Sequence, residues 1–150
     1  MSAKILTSVC IASTLVLGSF SLSFAGGHSP VEKRQAAMKT VGGGTKTIGD
    51  MLRGNTEFDA ARANAALVAM RDAVAPFESY FPEGSDAANS EAGPKIWSDH
   101  AGFVTVLTSM QTDLNAAVDA NAQDKAGIGA VFGKVASNCK TCHETYRVKK

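Results

Sequence analysis

The chain has 150 residues, with 15 basic and 14 acidic side chains, 45% hydrophobic residues and three cysteines. That length suffices for one domain with a buried core. The near-balance of charge excludes the strongly basic surface expected of a nucleic-acid-binding domain.

The first predicted element is a leader. Lys4 supplies a positive start, an apolar run follows from Ile5 through Leu22, and Ser23-Phe24-Ala25 places small residues where a signal peptidase reads them. The expectation is a cleaved signal peptide over residues 1–25, leaving one domain over 26–150 and a periplasmic location. The bland alternative is an uncleaved membrane anchor. Cys10 departs with the leader and receives no function. Lys4 is the leader's one charged residue, so the remaining chain balances 14 acidic residues with 14 basic ones. No later apolar run is long enough to span a bilayer.

Four helical segments follow. The first spans about Pro30 to Leu52, opened by Ser29 as N-cap, Pro30 at the first helical position and Glu32 closing a capping box. Gly42-Gly43-Gly44 in its middle lowers helix propensity; small residues there would permit close approach of a neighbouring helix or a ligand. The second starts after Thr56 or Asp59 and reaches about Tyr80, with Pro76 bending or shortening it. A polar loop, Pro82 to Gly93, separates it from a third helix that opens at Pro94 and ends near Asn121. The fourth begins near Asp124 and is closed by Arg147, Lys149 and Lys150, as the helix dipole favours. Four amphipathic helices with mostly short connections predict an all-α, antiparallel up-down-up-down four-helix bundle.

The fourth helix carries Cys139-Lys140-Thr141-Cys142-His143, the C-x-x-C-H attachment signature of c-type haem. The two thiols add across the haem vinyl groups as thioethers, and His143 reaches the iron as proximal ligand. On a helix the three residues share one face. In an oxidising compartment Cys139 and Cys142 would pair as a disulfide unless haem claims them. A thiol–disulfide redox site would want a βαβ setting, and a zinc site four protein ligands; the chain offers neither. The bundle is therefore expected to hold one covalent haem c, between its first, third and fourth helices.

This late motif on the last helix of an exported four-helix chain resembles cytochrome c′, the class II c-type cytochromes. Glu32-Lys33-Arg34-Gln35-Ala36-Ala37-Met38, Pro94-Lys95-Ile96-Trp97-Ser98-Asp99 and Thr141-Cys142-His143-Glu144-Thr145-Tyr146-Arg147 resemble the family's first-helix, third-helix and closing segments. The resemblance implies two branches. In high-spin members a nonligating side chain covers a five-coordinate iron, which binds NO or CO. In a low-spin subgroup a Met ligates the sixth position. The equivalent residue here is Met38, and Met occurs in both branches; Met38-Lys39 and the glycine run resemble the low-spin subgroup.

Each candidate also has an ordinary reading. Met38, Met51, Met70 and Met110 would all serve as core filler; the resemblance alone selects Met38 as iron ligand. The resemblance also implies that Arg34 contacts a haem propionate, against a solvated surface arginine, and Arg147 has the same two readings. Trp97 is core or haem-edge packing, Tyr146 packs at the haem rim, and His28 and His100 are expected on the surface.

The leading functional expectation is a non-enzymatic single-electron carrier, with haem ligated by His143 and Met38 and a redox partner docking near Lys140, Lys149 and Lys150. The alternative is a gas-binding protein that takes NO or CO, with Met38 only covering the iron. A peroxidase ranks last, for want of a distal His and Arg pair. The resemblance implies that members often form homodimers through the first two helices, which Ala-rich faces here permit.

Overall fold

The computed structural model describes residues 28–87 and 89–149. The expected signal peptide, with Cys10, and the terminal Lys150 lie outside the described residues. Among the described residues five helices occur in chain order: α1 (Pro30–Arg53), α2 (Ala60–Val74), α3 (Lys95–Ser98), α4 (His100–Ala120) and α5 (Lys125–Tyr146), with a 3₁₀ turn at Phe77–Tyr80. The four long helices form the expected bundle, α1 packed chiefly on α2 and α4 chiefly on α5.

Local chemistry sets most helix ends. At the start of α1 the Ser29 hydroxyl accepts the Glu32 N–H at 3.2 Å and the Glu32 carboxylate accepts the Ser29 N–H at 2.7 Å, completing the capping box. Gly54 stops α1 at φ 80°, in the left-handed region where glycine is favoured. Asp59 rather than Thr56 caps α2, and Asp124 caps α5. Asn121 ends α4 at φ 40°.

Three expectations are corrected. The second helix stops at Val74, because Pro76 has no N–H to give and its ring crowds the preceding turn; Phe77–Tyr80 continues only as a 3₁₀ turn. The third helix is two helices. Asp99 leaves helical geometry (φ −131°, ψ 52°), and its side chain accepts the Gly102 N–H to start α4 afresh. The fourth helix ends at Tyr146, before its basic tail: Arg147 is extended and pairs with Ala92 in an antiparallel bridge. Gly93 N–H donates to Tyr146 O at 2.7 Å and Val148 N–H to Glu91 O at 2.9 Å, so the tail finds partners in the α2–α3 connection.

The core runs along the bundle axis, with Ile48, Leu67, Met70, Leu114, Ile128 and Val135 fully buried. The glycine run divides its labour. A Cβ on Gly44 would meet Met70 Sδ at 2.6 Å, so α1 and α2 approach closely there. Gly43 faces open space and Gly42 faces a cavity.

Candidate functional site

The cavity lies between α1, α4, α5 and the α2–α3 connection and has a volume of about 490 Å³, within the range of cofactor pockets. Its walls are largely apolar: Val31 and Val41 from α1, Phe77 and Phe81 from the connection, Phe103 and Leu107 from α4. All six are buried. From α5 come Cys139, Cys142 and His143, the three motif residues, on one wall as the helical spacing requires.

The electrostatics of that wall suit haem attachment. The two thiols are half-buried and not joined to each other. Burial pushes both above the ordinary thiol value, and Cys139 adds to the effect on Cys142. A redox-active cysteine pair needs the opposite shift, towards thiolate. Burial, and then the positive charge of Arg147, lower the proton affinity of His143, while Glu91 opposes them. These influences favour the neutral imidazole, the form that binds metal. Two thiols, a neutral imidazole and an apolar chamber together fit a covalently bound haem.

Met38 stands half-buried on the α1 wall. Met110 also lines the cavity, from α4, whereas Met51 and Met70 are buried away from it. Placement thus narrows four methionines to two, and Met110 is a wall residue that sequence periodicity did not separate from core filler.

Arg34 is not the solvated arginine of its ordinary reading. It is 5% exposed and lines the cavity, but its guanidinium is turned to the α2–α3 connection. Nη1 donates to Tyr80 O (3.1 Å) and Ser85 Oγ (3.0 Å), Nη2 to Ser85 O (2.6 Å) and Ser90 Oγ (3.2 Å). The Phe81 ring lies 4.8 Å from the guanidinium carbon, a cation–π distance. Arg147 is partly exposed at the cavity edge, and its Nε donates to Glu91 Oε2 at 2.6 Å. Trp97, on α3, faces the connection rather than the cavity, its indole N–H donating to the carbonyls of Phe81 and Pro82. Tyr146 is buried on the cavity wall, and His28 and His100 are exposed. Ser85, Ser90 and Glu91, which receive the two arginines, looked like ordinary loop residues; no local pattern marks them.

The sequence pattern of the family described as Cytochrome C' matches residues 29–147. The chain belongs to the cytochrome c′ family. It carries one covalent haem c, as the family's members do. Cytochrome c′ of Rhodopseudomonas palustris is 36% identical over 142 residues, covering 93% of this chain and 94% of that protein. Cytochrome c-556 of Agrobacterium fabrum is 32% identical over 150 residues, covering 100% of this chain and 99% of the relative. Among solved structures, cytochrome c′ from Rhodopseudomonas palustris superposes with TM-score 0.76 at 34% identity, over 83% of this chain and 99% of that one. A nitric oxide complex of a cytochrome c prime variant from Alcaligenes xylosoxidans gives TM-score 0.73 at 29% identity, over 83% of this chain and 99% of that one. The protein is thus a monohaem c-type cytochrome built on a four-helix bundle.

Proposed function

We propose that this cytochrome c′ family member works in the periplasm and takes NO or CO on the haem face that Met38 covers. Cys139 and Cys142 form the thioethers, and His143 is the proximal ligand. Arg34, through its remaining Nε–H, and Arg147 would meet the propionates. Bound in this cavity, haem supplies an iron that changes oxidation state and accepts a diatomic ligand.

The observation that carries the gas-binding reading is the commitment of Arg34. It is the buried cationic side chain on the wall, and its terminal nitrogens are spent on Tyr80, Ser85 and Ser90. Among the described residues, His143 is the one histidine lining the cavity. A largely apolar chamber, poor in distal donors and with Arg34's terminal nitrogens engaged elsewhere, favours NO and CO over O₂ activation, which also supports a non-enzymatic role. The relatives named cytochrome c′, and the one solved with nitric oxide, support the same reading.

Single-electron transfer is the second reading, favoured by one observation: the α1 wall presents a thioether at Met38. Ligation by Met38 would keep coordination fixed on redox change, raise the haem potential and close the gas site. The redox partner would then dock beside Lys140, an exposed residue one turn from His143. A homodimer would use the exposed Ala36, Ala65 and Ala69 on α1 and α2.

Ferric absorption and magnetic-resonance spectra of the holoprotein decide between the readings. Gas binding expects a high-spin spectrum unchanged in Met38→Ala, with stoichiometric uptake of CO by the ferrous protein. A low-spin spectrum with a methionine-to-iron charge-transfer band, abolished in Met38→Ala, would overturn it in favour of electron transfer.

A further inference from the structure

Tyr146 is the last residue of α5 and lies one turn past His143. It is held at both ends. Its hydroxyl donates to Asp99 Oδ2 at 3.2 Å, and its carbonyl accepts the Gly93 N–H at 2.7 Å. Its ring stands edge-on to Phe103, with centroids 5.5 Å apart.

Each polar contact passes a glycine. A Cβ on Gly102 would lie 2.6 Å from the Tyr146 hydroxyl, and a Cβ on Gly93 would lie 2.9 Å from the Tyr146 carbonyl oxygen. Both distances are shorter than real Cβ contacts. Neither glycine has a positive φ, so room, not backbone conformation, demands them: for Tyr146 at both, and at Gly102 equally for the Asp99 carboxylate at 2.6 Å. Asp99 serves twice as well, since its other carboxylate oxygen caps α4 at Gly102 N–H. The break between α3 and α4 therefore creates the acceptor that receives α5.

Among the described residues His143 lacks comparable fixings: it is exposed and its ring makes no side-chain hydrogen bond. A metal-bound imidazole is ordinarily oriented by a hydrogen bond to its other ring nitrogen. Here the helix that carries the ring must orient it, and that helix is pinned at Tyr146.

We infer that Tyr146 is the positioning residue for the iron ligand: its bonds to Asp99 and Gly93 fix the last turn of α5 and so the plane of the His143 ring. The inference rests on the reading of His143 as proximal ligand. Filling the core explains the buried ring but not the hydroxyl, because phenylalanine would fill the same space.

The test uses the holoprotein and the paramagnetically shifted His143 ring signals in its NMR spectrum, with thermal unfolding as the control for fold. Tyr146→Phe removes the hydroxyl and keeps the ring. Asp99→Ser keeps a good N-cap but is too short to reach the hydroxyl, which gives a second route should Tyr146→Phe fold poorly. Asp99→Asn keeps both cap and acceptor. The expected result is an equal displacement of the His143 signals in Tyr146→Phe and Asp99→Ser, no further displacement in the double variant, and wild-type positions in Asp99→Asn. Unmoved signals in folded Tyr146→Phe, or displacements that simply add in the double variant, would overturn the inference alone. A wild-type protein without covalent haem would overturn the reading of His143 and this inference with it.

Discussion

Where α1 turns into α2 and α4 into α5, the bundle is closed by side chains such as Ile48, Met51, Leu67, Leu114 and Ile128, all at most 2% exposed. Asn64 Nδ2 ties the two turns together by donating to Ala122 O at 2.9 Å. At the other end the helices stand apart around the cavity, and directional contacts hold them: Arg34 on the α2–α3 connection, Trp97 on Phe81 and Pro82, Tyr146 on Asp99, Arg147 on Glu91. Apolar packing stabilises by filling space. Hydrogen bonds fix position with few atoms, which leaves volume for a prosthetic group. One end therefore supplies stability and the other supplies placement.

The sharpest way to break that contrast is to damage each end and read both. Leu114→Ala removes a fully buried side chain at the closed end and should cost about 2–5 kcal/mol in denaturant unfolding. The haem spectrum of the folded variant should stay as in wild type; a changed spectrum would mean that the two ends are not separable. Arg34→Met keeps the apolar stem but strands the Tyr80 and Ser85 carbonyls. It should cost about 1–3 kcal/mol and speed amide exchange at Ser85 and Ser90 while leaving Leu67 and Leu114 protected. Faster exchange at the closed end would contradict the division.

The glycine run offers a smaller test within α1. Gly44→Ala pushes into Met70 and should destabilise by roughly 1–3 kcal/mol. Gly43→Ala meets nothing and should stabilise by about 0.5–1 kcal/mol through helix propensity. Thermal unfolding of the pair should therefore move in opposite directions. The smallest effect is expected at Asp50, whose carboxyl is held at about 2 by hydrogen bonds from Lys46, Asn55 and Arg53. A carboxyl lowered from 3.8 contributes stability above that value and loses it as pH falls through about 2. Asp50→Asn should thus be slightly less stable than wild type at neutral pH and equal to it near pH 1, as read by urea midpoints.

The closed end was legible in the sequence because its determinants are local. The caps Asp59 and Asp124 and the helical spacing of apolar residues each act within a turn or two. The haem motif was legible for the same reason: Cys139, Cys142 and His143 share a helical face wherever that helix lies. The cavity end was not. Arg34 meets acceptors 46 to 56 positions away, and no periodicity announces such partners. Asp99 looked like an interior residue of a continuous helix, and Arg147 looked like a dipole-compensating tail. Both are re-aimed by Tyr146 and Glu91, residues brought near only by the finished bundle.

The pairing of the tail with the connection has a consequence in time. Arg147 and Glu91 lie 56 positions apart, and contacts so distant along the chain carry a larger closure entropy than the turns at the opposite end. The chamber is thus latched by a contact that is costly to close, and the latch lies one turn beyond the helical motif whose cysteines receive the prosthetic group.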